Sequence, residues 1–570
     1  MTKTHADRVQ LMTAAFAAAV GLVLALGVGS GNAATPQKDA KVSAPKAVHG
    51  TPAFLEYLGK GPTKETAGGI AAGIKGCAAC HNGADMGQAA GFVKDYKSNE
   101  FVLLNESDTW LKHDVHSIAL KRLDGELGQT MEKNLKYKVT EAPQCLTCHS
   151  VDLSPGKSLG EKVYKDFATK DGGVTCTACH GLSKTWQSDH FAEPTQEGLS
   201  LPWRKKTPEY KWSTGMADLR NPVVKAQLCV SCHVGNPDEG KVVTHDMYAA
   251  GHPPLPPFEL ASFMEAEPKH WGYPTDPKLK FFAGVAADER WPLFHFNAAK
   301  DESYLARHYA AGAIATLRAE AALLYADATA DLDARAAGKY GDGMNYSRFD
   351  CYACHHDLVP NSDRIKRGFD GPPGRPTLRA AIFVPAGIVA KHAEMIPALK
   401  DKATGYDAQW TKLKTATSAR PFGDVPKMKE EAKKMMDWCD GVLKIQGDDP
   451  TALYTPEVAA KLREEILKVA IGKEAADPEV AMALAWGAIT LAKEAGVKVP
   501  DLELKRLTDV IPANVRVEPY SEKNKDGATI PVPAQYEKRM EDLHKFKADQ
   551  YRVALTGLAP LFPKGGKGGK

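Results

Sequence analysis

Cys229-Val230-Ser231-Cys232-His233 is one of five occurrences of a single pattern in this chain. The others are Cys77-Ala78-Ala79-Cys80-His81, Cys145-Leu146-Thr147-Cys148-His149, Cys176-Thr177-Ala178-Cys179-His180 and Cys351-Tyr352-Ala353-Cys354-His355. C-x-x-C-H is the attachment pattern for c-type haem. Two thiols add to the two vinyl groups of the porphyrin, and the next imidazole binds the iron from one face. Two intervening residues let both sulfurs reach their vinyls while His lands under the metal. A single copy would compete with zinc sites and redox pairs, which also use C-x-x-C. Five copies take up ten of the eleven cysteines, each followed at once by His, and that repetition favours haem over zinc. The expected cofactor is therefore haem c, five per chain and covalently attached.

Composition agrees with this reading. The 570 residues allow more than one domain. A formal charge of +3, with 25% charged residues, offers neither a nucleic-acid surface nor an acidic tail. At the start, Lys3 and Arg8 precede an apolar run from Leu11 to Val28, and Gly31-Asn32-Ala33-Ala34 follows as a small-residue cleavage site. This predicts a signal peptide over 1–34, cut near Ala33 or Ala34, and a periplasmic product. The competing reading is an uncleaved anchor. No later stretch reaches the roughly 18 apolar residues needed to span a bilayer, so no transmembrane segment is expected in the mature chain.

Residues 35–376 form the expected haem-bearing domain, Gly- and Pro-rich with little periodicity, in which porphyrins supply apolar volume. One long helix is predicted there, from Ser303 to about Lys339, ended by Gly338 and Gly341. Residues 377–570 form the expected helical C-terminal domain, with helices over 380–399, 426–445, 456–471, 478–495 and 534–555. Residues 512–533 read as an extended link, and the glycine-rich tail as disordered. Thr455 and Asp477 look like N-caps. Met428, Ala432, Met435, Cys439 and Val442 form one apolar stripe, which makes Cys439 a core thiol. The fold class is mainly α.

The second axial ligand of each iron decides much of its chemistry. Twelve histidines outside the leader and the motifs are available. Five are the best candidates: His116, His190, His245, His252 and His356. His116 is preferred over His113, which would share its helix face at i and i+3, because Asp114 and Ser117 could orient its ring. His190 follows Trp186 as His113 follows Trp110. His356, beside His355, would reach a different haem. His270, His295 and His308 are expected not to be ligands, and Met247 or Met264 would be less favoured thioether donors. For each candidate the plain alternative is a histidine hydrogen-bonded to a propionate.

Two stretches carry a resemblance to the cytochrome c-554/c-prime family of multihaem c-type cytochromes. One is Val243-Thr244-His245 through Gly251-His252-Pro253 to Phe258-Glu259-Leu260 and His270-Trp271. The other is the Ala- and Arg-rich helix leading into Phe349-Asp350-Cys351 and on to His355-His356-Asp357-Leu358. The resemblance implies a mostly helical fold with closely packed haems that pass electrons along a chain. It departs in haem number, since the best-known members carry four, so no open haem site is carried over.

Two functions follow. The first is a periplasmic electron relay through mostly bis-His haems, with other periplasmic or membrane-bound redox proteins as partners, no nucleic acid, and no catalytic residues. The alternative is a reductase or oxidase of a small nitrogen or sulfur compound at one five-coordinate haem. No Cys-x-x-Cys-Lys motif is present to support it. The expectation leans away from an enzyme.

Overall fold

In the computed structural model the described residues are 77–78, 81, 105–150, 173–181, 186, 190, 208–270, 303–339, 344–355, 359–360, 375, 377–420, 423–448, 453–511, 520–523, 529–532, 546–558 and 560. All belong to one compact unit, Pro45–Lys570. The expected leader, Cys80 of the first motif, His295, His356 and the glycine-rich tail lie outside them.

The fold is mainly α, as the sequence leads one to expect. The part that carries the C-x-x-C-H motifs is built from short helices: α1 (Glu106–His113), α2 (Glu126–Leu135), α3 (Pro143–His149), α4 (Cys176–His180), α5 (Pro208–Ser213), α6 (Pro222–His233), α7 (His245–Ala250) and α8 (Leu260–Ala266). The long helix α9 runs from Tyr304 to Ala336. The C-terminal part adds α10 (Ala380–Ala393), α11 (Pro397–Ala403), α12 (Tyr406–Thr417), α13 (Val425–Asp448), α14 (Pro456–Ala470), α15 (Pro478–Glu494), α16 (Asp501–Val510) and α17 (Ala548–Leu558).

Helix α9 is the axis of the molecule. A helix that is apolar on one face packs on that face alone, whereas one buried nearly all round belongs in a core. From Leu305 to Leu324 almost every side chain of α9 is buried, and many are Ala. Small side chains let neighbouring helices come close. Gly312 shows how close, since a Cβ there would sit 2.5 Å from the Leu260 Cβ. Helices α6, α8, α10, α13 and α15 all pack on α9. One continuous core therefore runs from Val223 on α6 to Leu558 on α17 and includes the predicted stripe from Met428 to Val442. Cys439 is fully buried in it, and burial pushes its thiol well above the ordinary value.

Polar ties join the two regions across this core. The Asn221 side chain donates to the Gly447 carbonyl at 2.9 Å, and Arg318 donates to Asp440 at 3.0 Å. Arg379 donates to both oxygens of Glu479 at 2.9 Å and to the Leu255 carbonyl at 3.0 Å. The Glu494 carboxylate accepts from the backbone N–H groups of Leu305 and Ala306, where α9 begins.

The sequence-predicted N-caps are present. Thr455 accepts from Val458 N, and Asp477 accepts from Glu479 N and Val480 N. Three details differ from the sequence reading. The helix expected over 380–399 stops at Ala393 and restarts at Pro397, because Pro397 cannot donate into a continuing ladder. Within the expected extended link, Tyr520–Lys523 pairs antiparallel with Thr529–Val532. Helices α12 and α16 were not anticipated, since charged residues break their apolar pattern. Among the described residues no helix is long and apolar enough to cross a membrane.

Candidate haem-binding sites

The motif spacing is a helical one. On an α-helix positions i, i+3 and i+4 share a face, so C-x-x-C-H in one turn presents both thiols and the imidazole together. Helices α3 and α6 each end in such a turn, and α4 consists of nothing else. Asn221 caps α6 by accepting from Val223 N at 2.9 Å, with Pro222 in the first turn. The fifth motif starts in a tighter 3₁₀ turn, with Cys354 N donating to the Cys351 carbonyl at 3.2 Å, and His355 N donates to the same carbonyl at 2.7 Å.

Each motif histidine faces one histidine from outside the motifs. His81 lies opposite His190 with ring centroids 6.3 Å apart, and His116 opposite His233 at 6.0 Å. His149 faces His252 at 6.3 Å, His180 faces His270 at 6.3 Å, and His355 faces His245 at 6.2 Å. These gaps are too wide for a hydrogen bond between the rings. An imidazole nitrogen sits about 2 Å from a bound metal and the ring adds roughly 1 Å on each side, so trans imidazoles have centroids about 6 Å apart. All five separations match that figure, which is the fit expected for an iron between each pair.

Ring orientation supports the fit. The Nδ1 atoms of five of these histidines are held by acceptors, which leaves Nε2 as the nitrogen suited to a metal. His81 Nδ1 lies 2.7 Å from Glu106 Oε2, and His116 Nδ1 lies 2.9 Å from Asp114 Oδ1. His149 donates to the Ala119 carbonyl at 2.9 Å, His252 to that of Pro253 at 2.7 Å, and His270 to that of Pro268 at 3.3 Å. The electrostatics divide accordingly. Burial pushes His180 and His252 down to about 4 and His233 down to about 3, and also lowers His149. Burial opposes the charged form of His81 and His116 too. Their carboxylate partners outweigh it and hold both above the ordinary histidine value.

The loops that deliver the non-motif histidines are pinned. Asp114 ends α1 and caps the next turn by accepting from His116 N, so His113 and His116 do not share a helix face as expected. Ser117 donates to the Asp114 carbonyl at 2.7 Å, and Val174 N donates to the His116 carbonyl at 3.0 Å. Gly173 allows that approach at φ +79°, because a Cβ would collide with the same carbonyl. Thr244 caps α7, which carries His245 at its start, and Gly251 at φ +122° turns the chain so that His252 follows.

The sites adjoin one another. The thiol of Cys77 lies beside that of Cys176, and the thiol of Cys148 beside that of Cys232. A cavity of about 970 Å³ is lined by the second and fourth motifs, by His116 and His252, and by Cys179 of the third. That volume lies at the upper end of the range of about 300–1,000 Å³ for single-ligand pockets, and its lining is mostly apolar.

The family model for cytochrome c554 and c-prime matches residues 76–181. Over that span the chain is a c-type cytochrome. No curated protein and no solved structure matches it. The matched span of the cytochrome holds the first three motifs, His116, Glu106 and Asp114. Covalently bound haem c and redox function follow from the family. Of the sequence candidates, His116, His190, His245 and His252 each face a motif histidine, while His356 lies outside the described residues. His270, set aside in the sequence reading, is the residue opposite His180. Its one signal was position, since it closes the His270-Trp271 element of the family resemblance. His308 is fully buried on α9, with its ring against Tyr304.

Proposed function

We propose that this cytochrome is a periplasmic electron relay holding five haems, each clamped between a motif histidine and a non-motif one. The observation that carries the reading is the set of five ring pairs. In every pair one member comes from a C-x-x-C-H and the other does not. Bound haem would supply a one-electron iron couple at each pair. The motif cysteines would tether it, the paired imidazoles would hold its iron, and the apolar lining would keep water away. The hydrogen bonds on Nδ1 fix the tautomer and the ring plane. With a histidine facing every motif histidine, the pairing supports relay over catalysis at an open iron.

Adjacency suggests the order of the sites. Thiol contacts join the first motif to the third and the second to the fourth. Cys179 of the third motif lines the same cavity as the fourth. Helix α7 carries the partner of the fifth motif, and the partner of the second follows directly after it. The sequence of sites is then first, third, fourth, second, fifth. Both rings of the fifth pair are exposed, which suits exchange with a soluble or membrane-bound redox protein. We further propose that export removes residues 1–34, that residues 35–376 bear the haems, and that residues 377–570 brace α9. Mass spectrometry of the mature exported chain tests the stoichiometry. Five thioether-linked haems are expected, and any smaller number overturns the five-site relay.

A further inference from the structure

Not all axial histidines have the same kind of partner. At the second site both rings donate to backbone carbonyls, His149 to Ala119 and His252 to Pro253. At the first and fourth sites one ring of each pair donates instead to a carboxylate, His81 to Glu106 and His116 to Asp114. Both carboxylates are built in rather than incidental. Glu106 is 18% exposed and sits where α1 begins, and the neighbouring Ser107 donates to the His81 carbonyl at 2.6 Å. Asp114 is 13% exposed and also accepts from His116 N at 2.9 Å.

A carboxylate behind an imidazole does two things that a carbonyl does less strongly. It draws the Nδ1 proton toward itself, making the distal nitrogen a stronger donor. It also places a negative charge near the metal in a site shielded from water, where charge interactions are larger. Both effects favour ferric iron, which carries one more positive charge than ferrous iron. Axial-ligand hydrogen bonding is one of the levers by which proteins set haem potentials.

We propose that Glu106 and Asp114 are potential-setting residues, holding the first and fourth sites at lower reduction potentials than the second. The proposal rests on the reading that each pair clamps a haem. It makes the relay uneven along its proposed order, with two low-potential positions and a higher one at the second site. No bond forms or breaks in the redox change itself. One electron arrives from an external donor, and the Nδ1 proton stays within its hydrogen bond.

The test is a spectroelectrochemical titration of the intact holoprotein with dithionite and ferricyanide, comparing wild type with Glu106→Gln and Asp114→Asn. Both variants keep a hydrogen-bond acceptor and remove the charge. In each, one of the five transitions should rise so that the oxidised-to-reduced ratio at fixed ambient potential falls at least tenfold, a shift of about 59 mV for one electron. The third site should shift less, because Glu106 and Asp114 also lie within electrostatic reach of His180 and Cys179, the other three should stay in place, and the two variants should move different transitions furthest. Glu106→Asp, which keeps the charge, should return the moved transition toward its wild-type position. Unmoved transitions, or an equal shift of all five, would overturn the proposal. Should one variant lose a haem, the other carries the same test at its own site. Haem content, measured on the same wild-type sample, bears on the five-haem reading separately.

Discussion

Histidine pairs about 6 Å apart have the spacing that an iron between them would set, and His270 tests this most sharply. It stands 6.3 Å from His180, whereas His308, fully buried on α9, has Tyr304 as its ring neighbour. His270→Ala should therefore turn one low-spin haem into a high-spin, CO-binding one, while His308→Ala leaves every haem low-spin. Optical and EPR spectra of the two holoproteins check this, and an unchanged spectrum for His270→Ala would contradict the assignment. At this scale the sequence is clear about attachment and indistinct about partners. The motif residues announce themselves because thioether chemistry demands one spacing. A distal histidine needs only an imidazole arriving from anywhere in the chain. His116 could be picked out from its neighbours Asp114 and Ser117, and His245 and His252 from their place shortly after the fourth motif, but His270 had no such company. Glu106 could not be found at all, since a surface-looking Glu opening a helix is ordinary until the fold brings His81 beside it, 25 positions away in sequence.

Among the elements, α9 shows what pattern reading does well. Its start, its end near Gly338 and its alanine content were all legible. What covers it was not, because an all-round apolar helix does not say which neighbours it has. Glu494, at the end of α15, joins these elements by accepting from the first backbone N–H groups of α9. Burial pushes its carboxyl up to about 7, against the pull of those donors. The unfolded chain ionises near the usual carboxylate value of about 4.3. The neutral form therefore stabilises the fold fully below that value, and this contribution is lost as pH rises through about 7. Wild type should lose on the order of 2–3 kcal/mol of stability from this group between those limits. Glu494→Gln should lack that loss. Urea unfolding of the holoproteins at pH 4.5 and 7.5 compares them, and parallel pH dependence in the two would refute the assignment.

Across the whole molecule, the motif-bearing segments and the C-terminal helices share a core that the sequence suggests only as a bundle packed on or trailing from the expected haem module. The tie residues Asn221, Arg379 and Glu494 each look like surface polar residues in sequence, so the shared core was hidden. Between 105 and 270 the described helices run from 5 to 12 residues, too short for isolated stability in water. Tertiary burial has to hold them, and a covalent haem would add buried apolar surface at each motif. The central claim is that all five motif histidines share an iron with a histidine from elsewhere in the chain. Quantitative low-temperature EPR of the oxidised holoprotein tests it most directly. The predicted result is five low-spin ferric haems per polypeptide with no high-spin signal. One equivalent of high-spin ferric haem per chain would contradict it.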